Sequence, residues 1–401
     1  MKTPTCLFLL LALSAPAQMR RIDPPTGDGS GMPTLAQGKD GAVYLSWLEP
    51  AGEGRHALRF SRWNGTAWIA PETIAQGANW FVNWADFPAL SVLPDGSMLA
   101  HWLARAEGGG KFGYGIKVAR RAPHAAGWKQ IHSMSLGEKE DYAGFLSFEP
   151  GGETAVFLSP PPSGGGHGPH EHGAGAEHRK TVRFVRFRGE RVEAEGEIDN
   201  DACTCCPTAV GRTRGGLIAA YRDHSPGEIR DIAVVRYANG AWSKPVTVHA
   251  DGWKINGCPT DGPAIAAAGS HVAIAWLTRA AGEAKVQVAL SSDEGKSFRK
   301  PLRLDGGNPL GRPALAAWDD TSDAAVWIEK TTGTEAELRL RRIGHDGTLH
   351  PVHTVATVPA SRTTGFPKLA VAGNHVFLAW RDQSVRAALL HKNELKDKNL
   401  Q

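Results

Sequence analysis

The chain has 401 residues and a formal net charge of +4, its 45 basic and 41 acidic side chains spread along its length. That balance leaves no basic stripe for a nucleic acid to follow, so that class of partner is excluded. Beyond the first eighteen positions no apolar run is long enough to cross a bilayer, and no membrane span is expected.

The first segment differs in kind from the rest. Lys2 precedes Leu7-Phe8-Leu9-Leu10-Leu11-Ala12-Leu13, and the run closes on Ala15-Pro16-Ala17. A basic start, a short apolar centre and a small-x-small close are the marks of a secretory signal peptide. Residues 1–17 are therefore expected to be removed and the protein exported, to the periplasm or the outside. Cys6 leaves with that segment, and the other four cysteines make an even number for an oxidising compartment.

From there a repeat of about fifty-five residues takes over. A proline or its substitute opens an apolar segment, and an aromatic follows thirteen or fourteen positions later. The pairs are Pro33 with Trp47, Pro88 with Trp102, Ala143 with Phe157, Pro207 with Tyr221, Pro263 with Trp276, Pro313 with Trp327 and Pro367 with Trp380. Between landmarks the sequence reads as two buried strands joined by a Gly-containing turn, such as Thr34-Leu35-Ala36 and Val43-Tyr44-Leu45-Ser46-Trp47. A third, alternating strand follows (Lys285-Val286-Gln287-Val288-Ala289), and an aromatic-x-x-Pro opens a fourth (Trp242 with Pro245, Phe298 with Pro301). Four antiparallel strands per repeat is the unit of a propeller blade. The last repeat has room for only one strand after Trp380, while Arg20-Arg21-Ile22 have no blade of their own. The expected fold is an all-β propeller of seven blades, six being the alternative, closed by an N-terminal strand. One propeller domain would span 18–391, with a His-rich insertion at 160–178 and a charged tail at 392–401.

One segment is sharper. Ser291-Ser292-Asp293-Glu294-Gly295-Lys296-Ser297-Phe298 follows the Asp-box pattern at Ser291, Asp293, Gly295, Ser297 and Phe298, with echoes at Asn64-Gly65, Asn239-Gly240 and Asp346-Gly347. The chain thereby resembles the sialidase (neuraminidase) superfamily of Asp-box, or BNR-repeat, propellers. The resemblance implies an Asp turn that stabilises each hairpin. For an active member it implies an arginine triad, a Tyr-Glu nucleophile pair and an Asp acid/base. The triad's first arginine belongs in a Phe-Arg-Ile-Pro motif before the first blade, where this chain reads Ser30-Gly31-Met32-Pro33. Glycine stands in the arginine's place, and known sialidases have six blades.

Strand order sorts the remaining features by face. Loops leading into each blade, and loops between its second and third strands, emerge together, opposite the Asp-box turns. Three unusual segments are expected to converge on that face: Asp201-Ala202-Cys203-Thr204-Cys205-Cys206, Trp253 to Cys258, and Tyr221-Arg222-Asp223-His224 through Glu228, Arg230 and Asp231. Cys203, Cys205, Cys206 and Cys258 would form disulfides or a metal site there. His167, His170, His172 and His178 of the insertion would emerge beside them, and imidazole with thiolate suits zinc or copper. Arg222, Arg230, Arg312, Arg362 and Arg381 make a candidate anion-binding set. Candidate catalytic groups are Arg222, Asp223, Glu228, Arg312, Arg381 and Tyr142, with Asp231 and Asp261 as further acids. The sequence thus reads as an exported, monomeric propeller that binds a glycan, another ligand or a metal without the usual sialidase catalysis. Its partner would be an anionic glycan, a small molecule or a protein. The alternative is an exo-sialidase-like glycoside hydrolase, or a lyase, acting on anionic glycans.

Overall fold

A computed structural model describes residues 19–110, 112–134, 142–161 and 180–395. Seven antiparallel sheets succeed one another in chain order. Their innermost strands are Gly31–Gln37, Ala89–Val92, Gly144–Phe148, Ala209–Thr213, Ala264–Ala268, Pro309–Asp319 and Lys368–Ala372. Six sheets have four strands. The fourth blade has five, because Ala241–Trp242 and Val246–His249 both pair with Ile232–Ala238, a split at Ser243-Lys244-Pro245.

Burial explains the sequence pattern strand by strand. The second strand of each blade is covered on both faces, so it reads as a continuous apolar run, as in Val43–Pro50. The third alternates over part of its length, as at the start of Glu335–Gly344. Four of the landmark aromatics, Trp47, Trp276, Trp327 and Trp380, are among the largest fully buried side chains. Each buries about 150–250 Å², worth about 4–6 kcal/mol before entropy is subtracted. Burial obliges the indole N–H to find an acceptor. Trp47 donates to Glu49 (2.8 Å), Trp327 to Glu329 (3.0 Å) and Trp276 to Asp251 (2.6 Å).

The ring closes as the short last repeat requires. Arg20–Arg21 pairs antiparallel with Ala388 and Leu389, completing the seventh blade. Beyond the strand, the Ile22 amide donates to the Ala387 carbonyl (3.0 Å), and Asp23 accepts the Ala387 amide (3.0 Å). Ile22 is buried in the cluster of Trp63, Trp68 and Phe377.

The Asp-box behaves as the resemblance implies. Asp293 accepts the Ser291 hydroxyl (2.7 Å), the Lys296 and Ser297 amides (3.0 Å each) and the Ser297 hydroxyl (2.7 Å). Against a desolvation that works the other way, these bonds pull its carboxyl down to about 2. Gly295 has φ +76°, and a Cβ there would lie 2.3 Å from Ile218 of the preceding blade. Inside the ring a cavity of about 570 Å³ is lined by the innermost strands of all seven blades.

Candidate functional site

The three predicted segments do converge. The Cys203 amide donates to the Arg222 carbonyl (3.0 Å), Arg230 to Trp253 (2.9 Å) and Ile255 to Glu228 (2.9 Å). Cys205 and Cys258 form a disulfide with Cα atoms 6.0 Å apart, bridging 53 positions from blade four to blade five. A loop of that length corresponds to about 4 kcal/mol of lost unfolded-state entropy. No second bridge joins the other two cysteines: Cys203 and Cys206 are buried thiols with sulfurs 3.2 Å apart. The sulfurs of Cys203, Cys205 and Cys206 lie within 4.8 Å of one another.

The two thiols differ electrostatically. The hydrogen bond with Cys206, together with the Cys205 amide and the charges of Arg222 and Arg230, outweighs burial and brings Cys203 down to about 6. Cys206 is pushed up, by burial first and then by Cys203 itself.

The five arginines fall into two groups. At the sulfur rim, Arg222 is fully buried. Its guanidinium donates to the carbonyls of Asp261 (3.0 Å), Arg230 (2.6 Å) and Leu277 (2.8 Å) and lies over Trp253. Arg230 donates to Glu228 (2.5 Å), whose carboxyl it holds below the usual range. The second group rings the channel mouth. Trp84 and Phe366 stack there with centroids 5.9 Å apart, and Phe87 packs on Phe366. Arg312 lies over Trp84 (4.7 Å) and donates to the Ser361 and Gly365 carbonyls (2.9 and 3.0 Å). Arg362 reaches the same ring from 5.9 Å and is exposed. Arg381 crosses Gly31, where a Cβ would meet it at 3.0 Å. Lys368 joins them over Phe87 (3.6 Å), and burial pulls its amine down to about 7.

The predicted acids and tyrosines sit close by. Burial pushes Asp223 up, and Ser225 donates to it (2.7 Å). Tyr142 is half-buried, hydrogen-bonded through its hydroxyl to the Thr204 carbonyl, with Lys180 over its ring. Tyr221 is buried and donates to Asp199. His224, named only as part of the third segment and given no role there, bridges Asp201 (2.7 Å) and Glu228 (3.3 Å). The four insertion histidines lie outside the described residues.

Asp261, one of the candidate acids, has a counterpart in Asp86 that the sequence reading does not name. Asp86 and Asp261 each stand two positions before a blade proline, and both carboxylates are buried. Asp86 accepts the Phe145 amide (2.8 Å) and the Tyr114 hydroxyl (2.7 Å), and Asp261 accepts the Arg312 amide (2.8 Å). Phe145 and Arg312 have φ of +54° and +58°, and the glycine before each leaves room for the carboxylate. Burial raises Asp86 to about 7 and Asp261 to about 6.

No protein-family model and no curated protein matches the chain. Solved structures do. An ulvan lyase of a new polysaccharide lyase family, bound to -[GlcA(1-4)Rha3S]-, superposes with a TM-score of 0.58 at 12% identity, covering 93% of this chain and 96% of that one. A Dyadobacter fermentans protein of unknown function gives 0.50 at 13% identity, with 93% and 99% covered. The NanB sialidase of Streptococcus pneumoniae gives 0.47 at 12% identity, with 96% and 72% covered. The fold is a seven-bladed β-propeller with an Asp-box turn in its fifth blade. At these identities the likeness extends to the fold and no further.

Proposed function

We propose that this sialidase-like propeller is an exported binding protein that does not hydrolyse sialosides, and that its working site is the sulfur rim of blades four and five. The observation that carries this is the pair of thiols, Cys203 and Cys206, held 3.2 Å apart beneath the Cys205–Cys258 bridge. Cys203 is the more acidic of the two and is ready to act as a thiolate. Two converging sulfurs in a buried pocket suit a soft ion, zinc or copper(I). With such an ion bound, the chemistry supplied is retention of the metal. Arg222 and Arg230 offset the sulfur charge, and the bridge fixes the loop.

Metal analysis of the full chain purified without a His tag, with thiol counting before and after chelation, tests this reading. At least one equivalent of metal, with both thiols titrating only after its removal, supports it. Absence of metal together with absence of thiols would mean a second bridge and would sink it. Loss of the metal in Cys203→Ser would place it at this rim.

A second reading rests on the channel mouth, where Arg312, Arg362, Arg381 and Lys368 surround Trp84 and Phe366. Cations around an aromatic platform suit an anionic sugar. Under this reading the chain is a glycan-binding protein, or a lyase or hydrolase acting on anionic glycans. Incubation with uronate-containing polysaccharides, followed by the ultraviolet absorbance of unsaturated ends, distinguishes a lyase from the binding protein.

A further inference from the structure

On the opposite face, between blades five and six, three turns bring together side chains far apart in sequence. His271 begins the second strand of blade five, and Asp323 lies at the start of the second strand of blade six. His345 stands in blade six's Asp-box turn. His271 Nε2 is 2.7 Å from Asp323 Oδ2, and His345 Nε2 is 3.6 Å from the same oxygen. The two imidazoles stack with centroids 3.4 Å apart, and one ligand atom from each residue falls within 4.8 Å of the others.

We infer that His271, Asp323 and His345 form a binding site for a divalent transition metal of the zinc class. Three observations point to a cation. Asp323 is 1% exposed, and its Oδ1 has no hydrogen-bond partner, a costly state for a buried carboxylate oxygen. His271 Nε2 and Asp323 Oδ2 are within hydrogen-bond distance, but His345 Nε2 lies too far from that oxygen to share it, so one imidazole of the cluster is left over. The stacked rings bring two imidazole nitrogens and one carboxylate oxygen within 4.8 Å of one another, the donor types that zinc takes.

The dimensions agree. Zinc takes nitrogen at about 2.0–2.1 Å and carboxylate oxygen at about 2.0–2.2 Å, so tetrahedral ligands stand about 3.3 Å apart. That distance falls between the 2.7 and 3.6 Å observed. The frame is rigid, because the His345 amide donates to the Thr321 carbonyl (2.8 Å) and its carbonyl accepts from Arg299 (3.0 Å). His345 keeps 22% of its side chain exposed, which leaves a way in and a fourth coordination position toward solvent. A metal here would clamp blade five to blade six. It shares no residue with the sulfur rim and stands if that reading fails.

The test uses cobalt(II) and zinc(II) on the full chain carrying His167→Asn, His170→Asn, His172→Asn, His178→Asn, Cys203→Ser and Cys206→Ser. Those changes remove the insertion histidines and the two free thiols. The expected result is about one equivalent of cobalt with visible d–d bands and no thiolate charge-transfer band. His345→Ala or Asp323→Asn should weaken zinc at least a hundredfold, since loss of outer partners alone costs about 10–100-fold. In the unaltered chain, zinc should protect His271 and His345 from diethylpyrocarbonate, read residue by residue by mass spectrometry. Equal zinc affinity with and without His345, or no protection of either histidine, would overturn the assignment.

Discussion

Replacing Asp86 by Asn should make the protein more stable at pH 8 and leave it unchanged near pH 3. The Asp86 carboxyl is fully buried with a pKa near 7, against a reference value of 3.8 in the unfolded chain. A group whose folded pKa is raised contributes stability that is full below the unfolded value and is lost as pH climbs through the folded one. The gap is about three pH units, so ionisation in the folded state costs up to about 4 kcal/mol by pH 8. Asparagine removes that cost and keeps the geometry. Its carbonyl can accept the Phe145 amide, and its NH₂ can donate to the Tyr114 hydroxyl. Urea unfolding at half-unit steps from pH 3 to 8 should show the variant and wild type diverging from about pH 4 upward, with the gap levelling off above pH 7. A variant less stable than wild type at pH 8, or a difference that does not move with pH, would refute the reasoning.

Other substitutions test other ties. Arg222→Met leaves the carbonyls of Asp261, Arg230 and Leu277 without their buried donor, and should cost about 3–5 kcal/mol in urea unfolding. It should also raise the pH at which Cys203 reacts with a thiol reagent, because Arg222 is one of the charges lowering that thiol. Gly295→Ala meets both a positive φ and Ile218, and should lower the urea midpoint by an amount equivalent to about 1–3 kcal/mol. Gly31→Arg, which restores the motif arginine by name, should destabilise the first blade by displacing Arg381 and give no turnover of a fluorogenic sialoside. The unaltered protein should give none either.

The ring was legible because six of the seven repeats carry a proline at or just before the innermost strand, and all seven carry a buried aromatic thirteen or fourteen residues on. Even the degenerate copy kept its aromatic, and Phe157 is buried. The convergence of Cys203, Arg222 and Trp253 followed from strand order alone. What the arginines do was not legible. Arg222 and Arg381 follow blade aromatics in the same Arg-Asp pair, yet one is sealed among carbonyls while the other lies across a glycine. Pattern places a backbone, but the acceptor of a long side chain is set by the neighbouring blade. The same holds for His271, Asp323 and His345, which share a face only once blades five and six pack.

The seam at Arg20–Arg21 has a kinetic consequence. The Ala387 amide and the Asp23 carboxylate that bonds it stand 364 positions apart, so the strand Arg20–Arg21 must wait for Ser384–His391, far along the chain, before it can pair. Contacts of such separation form slowly. Until then blade seven presents a bare edge to any other extended chain. Joining the two ends and opening the ring between two other blades would move that wait elsewhere, and the refolding rate of such a permutant would report how much of the barrier belongs to the seam.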